Sequence, residues 1–280
     1  KVAIITGGAG MLGYQYAEVL SDAGAHVVIV DINQERCDEL ATQITARNNV
    51  EALGLQVDIS DENSVRLMLA TIKQKFGRVD ILINNAVARP KAYDKPFEEY
   101  PLDDWEYVMS VNVRGIFLCS KIVGSHMVSA ESGVIINIGS TYGIVGNDLS
   151  IYDDPEGRAF PSAVYSASKG AVISLTKHLA TYWAAKGVRV NCLSPGGVEC
   201  GQSEGFIKKY NARTPLGRMA KKEDFETKLE SAKETLEILM NPEITLQDSV
   251  KAYEKGMKEL SDAQKMLEDA QIKIQEIKSN

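Results

Sequence analysis

Tyr165 and Lys169 are four residues apart, so on a helix they share one face, about one turn from each other. A phenol ordinarily titrates near pH ~10, and an ammonium beside it favours the phenolate. Such a pair can take a proton from an alcohol or return one to a carbonyl, provided another group carries the hydride. A lone tyrosine–lysine pair at this spacing is more often plain helix surface. Its company decides. Here that company is Ser140 after an apolar run, Asn112 in a Val-Asn-Val-Arg-Gly stretch, and a glycine-rich segment near the start of the chain.

That segment reads Thr6-Gly7-Gly8-Ala9-Gly10-Met11-Leu12-Gly13 and directly follows the apolar run Val2–Thr6. Glycines between a strand and a helix permit a tight turn and let the backbone approach a pyrophosphate held at the helix N-terminus. Asp31 closes the second apolar run, 18 residues after Gly13. A carboxylate there can bind the adenosine ribose hydroxyls and would repel a 2′-phosphate, so NAD(H) is the expected cofactor over NADP(H). The plainer alternative is that Asp31 caps the next helix.

The elements that must hold these residues follow from the hydropathy pattern. Apolar runs occur at 2–6, 26–31, 51–58, 79–84, 133–139 and 187–193, with helix-length segments between them. Most are continuously apolar and rich in valine and isoleucine, as strands buried on both faces must be. The alternation predicts an α/β fold, a doubly wound parallel sheet of Rossmann type. From about Phe225 the texture changes: glycine nearly disappears and no strand-like run follows. Phe225, Leu229, Ala232, Leu236 and Leu239 form one apolar helix stripe, Asn241-Pro242 breaks it, and Val250, Tyr253, Met257, Leu260, Leu267 and Ile274 form a second. The expectation is an all-α helical hairpin over 225–280 whose narrow stripes need a partner.

Taken in order, the glycine loop, Asn84-Asn85-Ala86, Asn112, Ser140, Tyr165-Ser-Ala-Ser-Lys169 and Pro195-Gly196 resemble the short-chain dehydrogenase/reductase family over residues 1–224. The resemblance implies a cofactor cleft lined by Thr6, Gly7, Gly10, Met11, Leu12, Gly13, Asp31, Asn84, Ala86, Pro195, Gly196 and Val198, with Asp58 and Ile59 by the adenine. It implies that Ser140 bonds the substrate oxygen and Tyr165 is the acid/base. Lys169 would bind the nicotinamide ribose, and Asn112 would hold a water of the proton relay. It also implies a small-molecule substrate and a homo-oligomer. Met11 stands where most short-chain members have the middle glycine, Val87 replaces the glycine of their Asn-Asn-Ala-Gly, and Cys200 replaces a threonine. Ser140 and Tyr165 are 25 residues apart, about a dozen more than the family's usual spacing. The extra segment, around 147–160, is polar: either a solvated loop or a lid suited to a hydroxyl-rich, sugar-like substrate.

Past Asp224 the family's last helix and strand are missing, which would uncover the sheet edge beside the run at 187–193. In their place, Phe225-Glu226, Ile244-Thr245-Leu246 and Tyr253-Glu254-Lys255-Gly256-Met257 resemble the small subunit of bacterial exodeoxyribonuclease VII. That resemblance implies a hairpin that binds the nuclease large subunit and performs no chemistry itself, and it leaves open the alternative of an adaptor whose dehydrogenase part is a truncated remnant. The two patterns meet at Lys222–Glu226, as expected of a fused reading frame, with domains at 1–224 and 225–280.

Charge agrees with two unlike parts: of a net −7, the stretch from Glu223 to Asn280 carries −6. With no basic patch, direct nucleic-acid binding is not expected. Cys37, Cys119, Cys192 and Cys200 are widely spaced without histidine partners, which predicts reduced thiols of a cytoplasmic protein and no metal site. No unbroken apolar run reaches the roughly 20 residues of a membrane span.

Overall fold

Six parallel strands build the sheet: β1 (Val2–Thr6), β2 (His26–Asp31), β3 (Ala52–Gln56), β4 (Ile81–Asn84), β5 (Gly133–Ile138) and β6 (Val188–Leu193), in the order β3-β2-β1-β4-β5-β6. The computed structural model describes residues 1–88, 95–152, 162–222 and 224; the expected hairpin at 225–280 lies outside them. The order reverses between β1 and β4, and the carboxyl ends of the strands flank a crevice at that switch point.

Helices follow the strands as crossovers: α1 (Met11–Asp22), α2 (Gln34–Arg47), α3 (Glu62–Phe76), α4 (Leu102–Met109), α5 (Ile116–Ser129), α6 (Ala163–Trp183) and the short α7 (Glu204–Asn211). Local signals set their ends. The side chain of Asn33 caps α2 and that of Asp61 caps α3, while Gly77 at φ +73° closes α3 in the left-handed conformation. Between α4 and α5 the helix widens into a π segment, Ser110–Gly115, which contains Asn112. The continuous stretch Leu102–Ser129 is long and apolar enough to cross a membrane by length and composition. Polar Asn112 and Arg114 interrupt its apolar residues, so no single run showed this in the sequence. Its most apolar window is 56% buried inside the fold, the pattern of a core helix.

β1 and β2 match their apolar runs, and the other four strands are shorter than the hydropathy suggests. β4 begins at Ile81, and Asp80 just before it accepts on its carboxylate from Val2 N (2.7 Å) and from Arg78. Alternation along each strand sorts the core into two layers. Leu82, Ile135, Val188 and Val190 pack with α3, α5 and α6 on one face. Ala3, Ile5, Val27, Ile29, Ile83 and Ile138 face the other, where Tyr16 and Ala17 of α1 and Leu40 and Ile44 of α2 cover them. Beyond α1 that second face is thinly covered: Ile81, Val134 and Ile136 are only half-buried, Arg189 and Asn191 are exposed, and Leu193 is 41% exposed. Among the described residues β6 is an edge strand, paired only with β5.

Candidate active site

The glycine segment turns over the end of β1 into α1. Gly7 has φ +62°, and Gly10 N donates to its carbonyl (3.1 Å). A Cβ on Gly13 would sit 2.1 Å from Gly7 O, so the close crossing of loop and helix demands glycine there. Thr6 is buried; its Oγ1 accepts from Asn85 N (3.0 Å) and Ala86 N (3.2 Å) and so ties the Asn84–Ala86 turn to the loop. Asn85 Nδ2 donates to the carbonyls of Thr6 and Gly7, both at 3.1 Å. Gly10 caps α1 with no side-chain hydrogen bond, and α1 carries no acidic residue in its first turn.

Asp31 sits beside this loop at the end of β2, its Oδ2 accepting from Ala9 N (3.3 Å) and its Oδ1 from Ile32 N (2.8 Å). It does not cap α2; Asn33 does. Glycine backbone, the α1 N-terminus and a half-buried carboxylate form a donor and acceptor set that fits a dinucleotide: amides for phosphate, carboxylate for ribose hydroxyls. Asp58 is exposed and bonds Ser60 N (2.8 Å), while Ile59 is buried against Gly115.

A cleft of about 580 Å³ opens beyond the loop. It brings together Leu12, Ser140, Tyr165, Lys169, Pro195, Gly196 and Val198 from the residues singled out in the sequence. Ser140 is buried, and its Oγ accepts from Tyr142 N (3.2 Å). Lys169 is 3% exposed, its Nζ 5.6 Å from the centre of the Tyr165 ring and donating to the Ile138 carbonyl at 2.6 Å. Burial pulls the Lys169 ammonium down to about 8, against a smaller upward pull from Cys192. Helix α6 comes close because Gly143 lies against it: a Cβ there would meet the Lys169 carbonyl carbon at 2.7 Å.

Two expected residues point elsewhere. Asn84 shares a strand face with Leu82, so its side chain turns into the core, donating to Asn137 Oδ1 (2.8 Å) and Ser120 Oγ (3.2 Å). Asn85 and Val87 line the cleft beyond the loop, while Ala86 lies against Gly7 of the glycine loop itself. The Asn112 amide is committed within the fold, accepting from Ala88 N (2.8 Å) and donating to Ser168 Oγ (3.1 Å).

The outer wall was not foreseen. Tyr142, Tyr152, Phe206, Tyr210 and Met219 line the cleft opposite the glycine loop. The Tyr142 and Tyr152 hydroxyls are 2.6 Å apart, the Tyr152 and Phe206 rings 5.3 Å apart, and Tyr210 OH accepts from Gly197 N. Burial raises the Tyr142 phenol above its ordinary value. The start of the extra segment, 147–152, packs here: Asn147 Oδ1 accepts from Ser166 Oγ, and Asp148 pairs with Arg213 just past α7. Residues 153–160 of that segment lie outside the described residues.

Residues 1–210 match the family model of the short chain dehydrogenases. The chain belongs to that family. It is 34% identical over 229 residues to the cis-4-hydroxycyclohexanecarboxylate dehydrogenase of Sinomonas cyclohexanicum, covering 80% of this chain and 85% of the relative. Among solved structures, the short-chain fold is shared with an NAD+-bound xylitol dehydrogenase (TM-score 0.71, 27% identity, 81% of this chain and 89% of that one). It is shared equally with a gluconate 5-dehydrogenase from Burkholderia cenocepacia in complex with NADP and tartrate (TM-score 0.71, 30% identity, 81% and 85%). Residues 225–276 match a different model, the exonuclease VII small subunit. This short-chain dehydrogenase thus carries a second family's segment beginning 15 residues after its own match ends.

Proposed function

We propose that the chain is an NAD-dependent oxidoreductase that interconverts an alcohol and a carbonyl on a hydroxyl-rich, sugar-like substrate. The observation that carries this reading is the Tyr165–Lys169 pair in one cleft with Ser140, beyond a glycine loop flanked by Asp31. NAD bound at the loop supplies the hydride acceptor or donor. In the oxidative direction the Tyr165 phenolate takes the substrate hydroxyl proton as the hydride leaves carbon; in reduction the phenol returns it. Lys169 has three donors, and one is held by the Ile138 carbonyl. The other two are left for a ribose hydroxyl and for favouring the Tyr165 phenolate. Ser140 Oγ holds the substrate oxygen beside Tyr165.

Two features support the substrate class. Phenols of Tyr142, Tyr152 and Tyr210 stand on the cleft wall, and Gln202 and Ser203 add polar groups to its lining. Two solved relatives of the same fold are named for xylitol and gluconate. Asp31 favours NAD through repulsion of a 2′-phosphate. The test is titration of NADH and NADPH into the purified chain, then turnover on polyols and on hydrophobic alcohols. Tighter NADPH binding, or turnover confined to hydrophobic alcohols, would sink the reading.

The second family match favours one addition. The segment 225–276 is proposed to bind an exonuclease VII large subunit, in a chain divided at 1–224 and 225–280. Co-purification with that subunit, lost when Tyr253 and Met257 are changed to aspartate, is the expected result; capture unaffected by those changes speaks against it.

A further inference from the structure

Strands of a parallel sheet normally have both faces covered by crossover helices. On β4, β5 and β6 one face is sealed: Leu82, Ile135, Val188 and Val190 are each at most 4% exposed. The opposite face is not. Ile81, Val134, Ile136 and Leu193 stand on it partly in water, with Arg189 and Asn191 exposed at its outer strand. Among the described residues no helix lies over that half of the sheet.

The chain arrives beside this face as the described residues end. Val198 and Ala220 form an isolated parallel bridge, and both pack against the buried layer that contains Ile83 and Ile138, the same side as the open face. Arg218 then holds Asp224 through two bonds of 2.6 and 2.8 Å, and Lys221 N donates to the same carboxylate. The next residue, Phe225, begins the apolar stripe Phe225, Leu229, Ala232, Leu236 and Leu239, interleaved with Glu226, Glu230, Glu234 and Glu237.

We propose that the segment Phe225–Leu239 lies on the open face of β4, β5 and β6 and serves as its cover within the same chain. The dimensions agree. Fifteen helical residues span about 22 Å, and a six-residue strand about 20 Å. The segment's glutamates complement the exposed Arg189. Tethering at Asp224 gives an effective concentration on the order of millimolar, which a second copy or a separate subunit must exceed to take its place. The second stripe, from Val250 to Ile274, is then free to meet a partner.

The experiment places the photoreactive residue p-benzoylphenylalanine at Asn191 of the full chain and maps cross-links by mass spectrometry. Equal parts of isotope-labelled and unlabelled protein distinguish links within one chain from links between two. The expected result is intrachain cross-links to peptides within 225–239, reduced at least tenfold by the double change L229D/L236D. Links between two copies, links to an added exonuclease VII large subunit in place of the segment, or no link to 225–239 overturn the proposal. If the double variant does not fold, the cross-link map of the otherwise unchanged chain decides alone.

Discussion

The Lys169 ammonium lies 5.6 Å from the centre of the Tyr165 ring while donating a 2.6 Å hydrogen bond to the Ile138 carbonyl at the end of β5. The sheet therefore sets the height of the lysine on α6, and the helix sets the tyrosine one turn away. Tyr165→Phe keeps the ring and its packing but removes the proton carrier. We expect kcat to fall on the order of 10²–10⁴-fold, with the melting temperature and NADH affinity unchanged. A variant that loses stability in step with activity points to a structural tyrosine instead.

Stability should depend on pH through Lys169. Its folded value is about 8, lowered by burial from 10.5. Between those two values the unfolded chain holds a proton that the folded chain has released, so stability rises with pH across about 8 to 10.5. Below pH 8 the full cost of burying the ammonium remains. A shift of this size corresponds to something on the order of 3 kcal/mol. Lys169→Met removes the group, so its stability advantage over the parent should be largest at pH 7 and vanish by pH 10.5. Equal differences at both pH values would remove Lys169 as the cause.

Asp31→Asn tests the cofactor preference. Asp31 accepts from Ala9 N on one oxygen and from Ile32 N on the other, so the amide can keep only one of these bonds; the shorter one, to Ile32 N, is the one expected to persist. Loss of a charged acceptor for the ribose hydroxyls should weaken NADH by on the order of tenfold, while NADPH gains. Calorimetric titration of both nucleotides reads the outcome, and unchanged NADH affinity would separate Asp31 from cofactor binding.

The phenol pair on the outer wall gives a prediction about substrate. Tyr152→Phe breaks the 2.6 Å contact with Tyr142 without changing the ring that meets Phe206. For a polyol such as xylitol KM should rise about fivefold, the worth of roughly one neutral hydrogen bond, with kcat kept. For cyclohexanol, with its single hydroxyl, KM should not move. An equal rise for both means the pair supports the wall and does not read the substrate.

Most of what positions the chemistry was legible in the residues. Apolar runs, most of them rich in valine and isoleucine, marked all six strands, and the glycine spacing marked the β1–α1 turn, because both signals are local. The direction of Asn84 was also readable, since strand alternation places it with Leu82 and away from Ile83. The wall formed by Tyr142, Tyr152, Phe206 and Tyr210 was not. Phe206 and Tyr210 are neighbours on one short helix, but only the tertiary fold brings Tyr142 and Tyr152 from two loops to that helix. The open half-face was legible only in part. The family resemblance implied that a last helix and strand are missing; which side of the described sheet stands less covered needed the burial of each residue.

Asn84 and Asn137 are register partners in neighbouring strands, and their side chains are joined at 2.8 Å. Asn137 Nδ2 donates onward to Thr176 Oγ1 (2.9 Å), whose own proton goes to the Val172 carbonyl (2.8 Å). The Asn84 and Asn137 amides and the Thr176 hydroxyl are thus joined in one buried row, in which Asn84 Oδ1 alone has no partner among the described residues. A slip of β5 by one residue would throw Asn137 to the opposite face and push an isoleucine against a buried amide. Neighbouring valines and isoleucines are nearly interchangeable and would tolerate such a slip far better. The row therefore works as a key against misthreading while the chain folds, which matters most for the strand next to a sheet edge.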